Sequence, residues 1–155
     1  MTASPLVLVA DHDPDARHIL TSMLRHLGAS VMEAQDGEQA LRLARAHPFT
    51  AMVSEYLWCA DGRPLHRCLR GSPDLAGVPL YVVTSDPSEG RRAAALRTGC
   101  AAVILKPIPP SVLAALVLGR GGRAGDPGAG GRRFPTPGAA SPQGDEIGSG
   151  KAVVS

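Results

Sequence analysis

The chain has 155 residues, 44% hydrophobic and only 3% aromatic, enough for one domain with an aliphatic core of Leu, Val, Ala and Ile. Its net charge of +2 comes from the last 37 residues (5 Lys/Arg against 3 acids), since residues 1–118 balance at 11 and 11, so a clustered basic nucleic-acid face is excluded. Three cysteines without CxxC spacing fit reduced thiols, no basic n-region precedes the first apolar run, and VLAALVLG is far too short to span a bilayer. A cytoplasmic, soluble protein with no nucleic-acid or membrane partner is expected.

The first apolar run, Leu6–Ala10, is followed by Asp11-His12-Asp13 and then Pro14. Continuous apolarity is what a strand covered on both faces requires. Asp13-Pro14 reads as an N-cap and first-turn proline of a helix whose Ile19, Leu20, Met23, Leu24 and Leu27 recur every three or four residues until Gly28 stops it. A second strand, Ser30–Ala34, leads to Asp36-Gly37-Glu38-Gln39, a capping box opening a helix through Ala40, Leu41, Leu43 and Ala44 that Pro48 closes. The third strand is Ala51–Ser54, and a helix is expected over 63–69. Leu80–Thr84 is the fourth strand. Asp86-Pro87-Ser88-Glu89 repeats the cap pattern before a helix through Leu96 that ends at Gly99. A fifth strand, Ala102–Leu105, precedes a short helix over 110–118.

Residues 119–155 hold 11 Gly and 4 Pro with almost no large apolar side chain. Such a stretch buries too little surface to offset its ordering entropy, so 1–118 is read as the folded domain and 119–155 as a disordered tail. No second folded domain is expected.

Five βα units joined by short connections predict a doubly wound α/β domain with a parallel sheet. Ligands of such sheets sit beyond the carboxyl ends of the strands, near the point where strand order reverses. The residues there are Asp11, His12 and Asp13 after the first strand, Ser54 and Glu55 after the third, Thr84 after the fourth and Lys106 after the fifth. Acids, hydroxyls and a lysine thus converge on one end of an apolar sheet.

The pieces VLVADHDPDAR, EAQDGEQAL, EYLWCADG, PLYVVTS and ALRTGCAAVILKPI, in that order over residues 5–118, resemble the receiver domain of bacterial two-component response regulators. The resemblance implies a flavodoxin-like (βα)5 fold with strand order 2-1-3-4-5 and a role in phosphorelay signalling. It further implies an aspartate acceptor at the end of the third strand and Mg²⁺ held by two acids after the first. A Thr or Ser after the fourth strand and a Lys ending the fifth complete the family set. The chemistry asks for these types: a carboxylate attacks phosphorus, while a cation and a lysine neutralise charge on the transferred oxygens.

Asp11, Thr84 and Lys106 match that pattern, and three positions depart from it. His12 stands where the second acid is expected, and a neutral imidazole is a poor Mg²⁺ ligand. The acceptor position falls on Glu55 counting from Phe49, or on Ser54 counting back from Asp61-Gly62. Neither is Asp, and a Glu carboxylate reaches one methylene further, far enough to pair with Lys106. Val103 replaces the aromatic residue that the family carries three positions before the lysine.

These departures imply a pseudo-receiver, with no catalytic residue, that meets a sensor histidine kinase or another signalling protein through protein contact. The resemblance places the output surface, and a possible dimer contact, on the fourth-helix to fifth-helix face. Mg²⁺ would be weakened by His12 and, if a cation binds at all, Asp11 and Glu55 would hold it. One competing reading is phosphorylation on Glu55 or Ser54. Another is a metal-dependent enzyme with Asp11, His12, Asp13 and Glu55 as ligands, against which Asp13 reads as a cap and Asp11 as the partner of Lys106. His18, His26, His47 and His66 are read as surface or loop residues without a role, and Cys59 and Cys100 as small buried residues.

Overall fold

A computed structural model describes residues 4–119. The expected tail, residues 119–155, lies outside them except for Gly119. The elements alternate as β1 (Leu6–Ala10), α1 (Pro14–His26), β2 (Ser30–Ala34), α2 (Gly37–Ala46), β3 (Ala51–Ser54), α3 (Leu65–Arg70), β4 (Leu80–Thr84), α4 (Glu89–Thr98), β5 (Ala102–Leu105) and α5 (Pro110–Leu113). The last helix widens into a π-helical segment, Ala114–Leu118. All five strands are parallel, in the order β2-β1-β3-β4-β5. The doubly wound, flavodoxin-like sheet expected from the sequence is therefore present.

Alternation along each strand divides the core in two. Leu8, Ala10, Met52, Val82 and Val103 face α2, α3 and α4, joined by Leu41, Leu65, Leu69 and Ala95. Val7, Val9, Val53, Val83 and Ile104 face the other way, onto Leu20 and Leu24 of α1 and Leu113 and Val117 beyond β5. Strands buried on both faces have no polar side to show, which is why their sequences read as continuous apolar runs.

The helix starts follow local chemistry. Asp13 accepts from Asp15 N at 3.0 Å and Asp36 from Gln39 N at 2.7 Å. In return, Gln39 Oε1 accepts from Gln35 N at 2.8 Å, so the box closes one residue earlier than the ideal motif. Gly28 follows α1 with φ at 101°, a conformation that costs glycine nothing.

Three details differ from the sequence reading. Helix α3 starts at Leu65, two residues later than expected, because Pro64 is extended and Arg63 N is taken by the Asp61 carboxylate at 2.9 Å. Helix α4 is capped by Ser88, which accepts from Arg91 N at 3.1 Å, while Asp86 closes a turn onto Ser88 N at 2.9 Å. On α1 the buried stripe is Leu20, Thr21 and Leu24, and Ile19 is 54% exposed. Ile19 lies about 160° round the helix from Thr21, outside the arc that Leu20, Thr21 and Leu24 cover.

Candidate functional site: the pocket at the strand ends

The sheet ladder runs one residue past β1, β3 and β5. Asp11 N donates to Ala34 O, Glu55 N to Ala10 O and Lys106 N to Thr84 O, at 2.8 to 3.0 Å. These bonds hold the three residues at the carboxyl edge, beside the β1/β3 boundary where strand order reverses. Residues 95 positions apart are thereby brought within hydrogen-bond distance.

Lys106 is the hub. Its Nζ lies 3.0 Å from Asp11 Oδ2 and 3.5 Å from Glu55 Oε2. Asp11 is buried, Glu55 nearly so, and the lysine head keeps partial contact with water. The remaining carboxylate oxygens have partners too: Asp11 Oδ1 accepts from Asp13 N at 2.9 Å and Glu55 Oε1 from Tyr56 N at 2.7 Å. Of the two candidate acceptor residues, Glu55 faces Lys106. Ser54 is buried and donates its hydroxyl to the Glu55 carbonyl at 2.9 Å.

The other expected residues sit around this pair. His12 is 73% exposed, its Nδ1 3.8 Å from Asp11 Oδ1. Asp13 caps α1. Thr84 is buried, and its Oγ1 accepts from Asp86 N at 3.0 Å, tying the β4–α4 turn back to the strand. Val103 is buried on the α4 side of the sheet beside Val82, too short to reach the pocket.

A divalent cation of the kind this fold family implies fits the donor set poorly. Mg²⁺ needs near-octahedral hard oxygens. Here Lys106 already spans Asp11 and Glu55, the third position offers an imidazole, and the Asp13 carboxylate is engaged in capping. The alternative ligand set Asp11, His12, Asp13 and Glu55 does not converge either: among the described residues no three His, Cys, Asp or Glu side chains are grouped to hold a metal. The sequence made the four look close because three are consecutive, but the strand end and cap point them apart.

Sequence reasoning missed several contributors. Arg17 crosses from α1 to donate to the Asp11 carbonyl at 2.7 Å and to Glu33 Oε1 at 3.0 Å, bracing the turn after β1. Helical spacing alone could have placed Arg17 one turn after Asp13, but its partner on β2 is visible only in three dimensions. Tyr56 lies buried beside Glu55 with its hydroxyl unpartnered, and burial, with help from Asp86, pushes its pKa up to about 12. Arg91 of α4 lies over both Tyr56 and Trp58. His66, expected on a surface, is buried in α3 with Nδ1 unpartnered; burial, reinforced by Arg67 and Arg70, lowers its pKa. All three cysteines are free and buried, and burial first of all raises Cys59 and Cys100 to about 12, so these two stay protonated at neutral pH. No described helix is long and apolar enough to cross a membrane.

Comparison with known proteins agrees with this architecture. Residues 7–118 match the family model of the response regulator receiver domain. An uncharacterized 14.6 kDa protein of Leptolyngbya boryana is 35% identical over 112 residues, covering 72% of this chain and 86% of that one. The gliding motility regulatory protein of Myxococcus xanthus is 31% identical over 101 residues; 64% of this chain aligns, but only 13% of that much longer protein. The chemotaxis response regulator CheY4 of Vibrio cholerae superposes with a TM-score of 0.66 at 20% identity, over 75% of this chain and 98% of that one, a likeness of fold. With its strand order, its strand-end lysine and acid, and a family match over residues 7–118, the chain belongs to the response regulator receiver domain family.

Proposed function

We propose that this receiver domain is a pseudo-receiver, a non-enzymatic signalling module that works by protein contact with its pocket charge set by fixed side chains. The observation that carries the reading is the position of Lys106, between Asp11 at 3.0 Å and Glu55 at 3.5 Å. In a phosphorylatable receiver this lysine is needed for charge that develops on the phosphoryl group. Here Glu55 already engages it, one methylene further out than an aspartate would be. Displacing a reacting group by about 1 Å costs on the order of 10²-fold in rate.

His12 at the second acid position and Val103 at the aromatic reporter position support the same reading. The partner is a sensor histidine kinase or another signalling protein in the cytoplasm, met through the α4–β5–α5 face, which is also the candidate dimer contact. The test is incubation of the full chain with acetyl phosphate and Mg²⁺, followed by intact mass. No added phosphate is expected. A stable stoichiometric adduct overturns the reading, and peptide mapping then decides between Glu55 and Ser54.

A further inference from the structure

Helix α4 is weakly rooted in the core. Of its ten residues only Ala95 is fully buried, with Leu96 partly packed against the same cluster. Its position therefore depends on how its ends are fastened. The C-terminal end is closed by Gly99 in a left-handed conformation. The N-terminal end carries an unusual attachment.

We propose that Arg91 is a clamp that fastens the start of α4 to the β3–α3 loop, holding the Thr84–Ser88 turn in place without a phosphoryl group. Its guanidinium lies 5.5 Å from the ring centroid of Tyr56 and 5.5 Å from that of Trp58, inside the range of cation–π attraction. Nη1 also donates to Asp86 Oδ2 at 2.9 Å. Asp86 is itself wired into the turn: its N–H donates to Thr84 Oγ1 at 3.0 Å and its Oδ1 accepts from Ser88 N at 2.9 Å. Ser88 Oγ completes the circuit by accepting from Arg91 N at 3.1 Å. A continuous chain of contacts thus runs from the buried Thr84, through Asp86 and Arg91, to the two aromatic rings that follow Glu55.

The far side of the clamp is held by backbone contacts. The Trp58 backbone bridges Pro64, and its carbonyl lies so close to Gly37 that a side chain there would overlap it. Trp58 is nevertheless 46% exposed, an unusual place for a large aromatic residue. A backbone held in this way and presenting an aromatic ring to a planar cation is what a clamp requires. A lysine could supply the charge there but not the flat, stacking fork.

The consequence for signalling, an α4 face set by Arg91, rests on the phosphate-independent reading above; the clamp itself does not. Trp58 is the only tryptophan of the chain, so its emission reports on the clamp directly. Full-length Arg91→Ala, Arg91→Lys and, as an exposed control on the same helix, Arg97→Ala are compared for acrylamide quenching and for amide hydrogen exchange over residues 86–92. With one ring face uncovered, Arg91→Ala is expected to raise the quenching constant about 1.5- to 2-fold and speed exchange about 2- to 5-fold, with Arg91→Lys intermediate. Arg97→Ala should match the parent. If Arg91→Ala also matches the parent in both readouts, the clamp is refuted. An acetyl phosphate adduct on the parent, with these shifts still seen, would overturn the pseudo-receiver reading and leave the clamp standing.

Discussion

Replacing Lys106 with Met tests whether the pocket cation holds the domain together. The substitution keeps the aliphatic stem and removes the charge, leaving the Asp11 and Glu55 carboxylates facing each other without a cation. Breaking a buried ion pair by removing one partner costs about 3–5 kcal/mol, whereas an exposed pair contributes about 0–1 kcal/mol. This site lies between those limits, since Asp11 is 1% exposed, Glu55 14% and Lys106 24%. Partial screening at the lysine, and the hydrogen bond from Asp13 N that Asp11 retains, bring the expected loss to about 2–3 kcal/mol. For a domain of this size that is a fall of about 10 °C in Tm.

The assay is urea denaturation followed by Trp58 emission and circular dichroism. It is run on Lys106→Met, Asp11→Asn and the double variant. Asn keeps the acceptor for Asp13 N while removing the unpaired charge. The double variant should therefore lose less than the two single losses added together, with a coupling of about 1–2 kcal/mol. Additive losses, or a Lys106→Met variant within about 0.5 kcal/mol of the parent, would refute the claim that Lys106 organises the pocket.

Other outcomes follow from residues further away. His66 is neutral and buried, its folded pKa below its ordinary value. The folded state thus binds fewer protons than the unfolded one as pH falls through about 6.5, and stability is full above that value and declines below it. His66→Phe should flatten the slope between about pH 7 and 5 in thermal melts; an unchanged slope counts against the buried neutral imidazole. Gly37→Ala forces a methyl into the Trp58 carbonyl and should cost about 1–3 kcal/mol in denaturant titrations while shifting Trp58 emission; a neutral result would mean that the loop yields freely. Leu24→Ala, fully buried between α1 and the sheet, should cost about 2.7–5 kcal/mol, and a loss below about 1 kcal/mol would contradict the packing of α1.

The strand boundaries and the order of elements were readable because each depends on local pattern. A strand buried on both faces has to be apolar throughout, and Asp13, Asp36 and Gly28 mark helix ends through bonds within a few residues. The members of the pocket could also be named from sequence, since a parallel sheet carries the residues that follow its strands to one edge.

What tertiary structure decided was the partners across the sheet. Whether Ser54 or Glu55 meets the lysine depends on which way the chain turns after β3. That turn is set by the Glu55 N to Ala10 O bond from the neighbouring strand. Arg17 reaches Glu33, and Arg91 reaches Tyr56, Trp58 and Asp86, because helices dock at angles that no periodicity encodes. His66 escaped notice for a related reason: α3 is six residues long, too short for its buried face to be read from spacing. Local chemistry wrote the list of elements, and long-range packing chose which side chains meet.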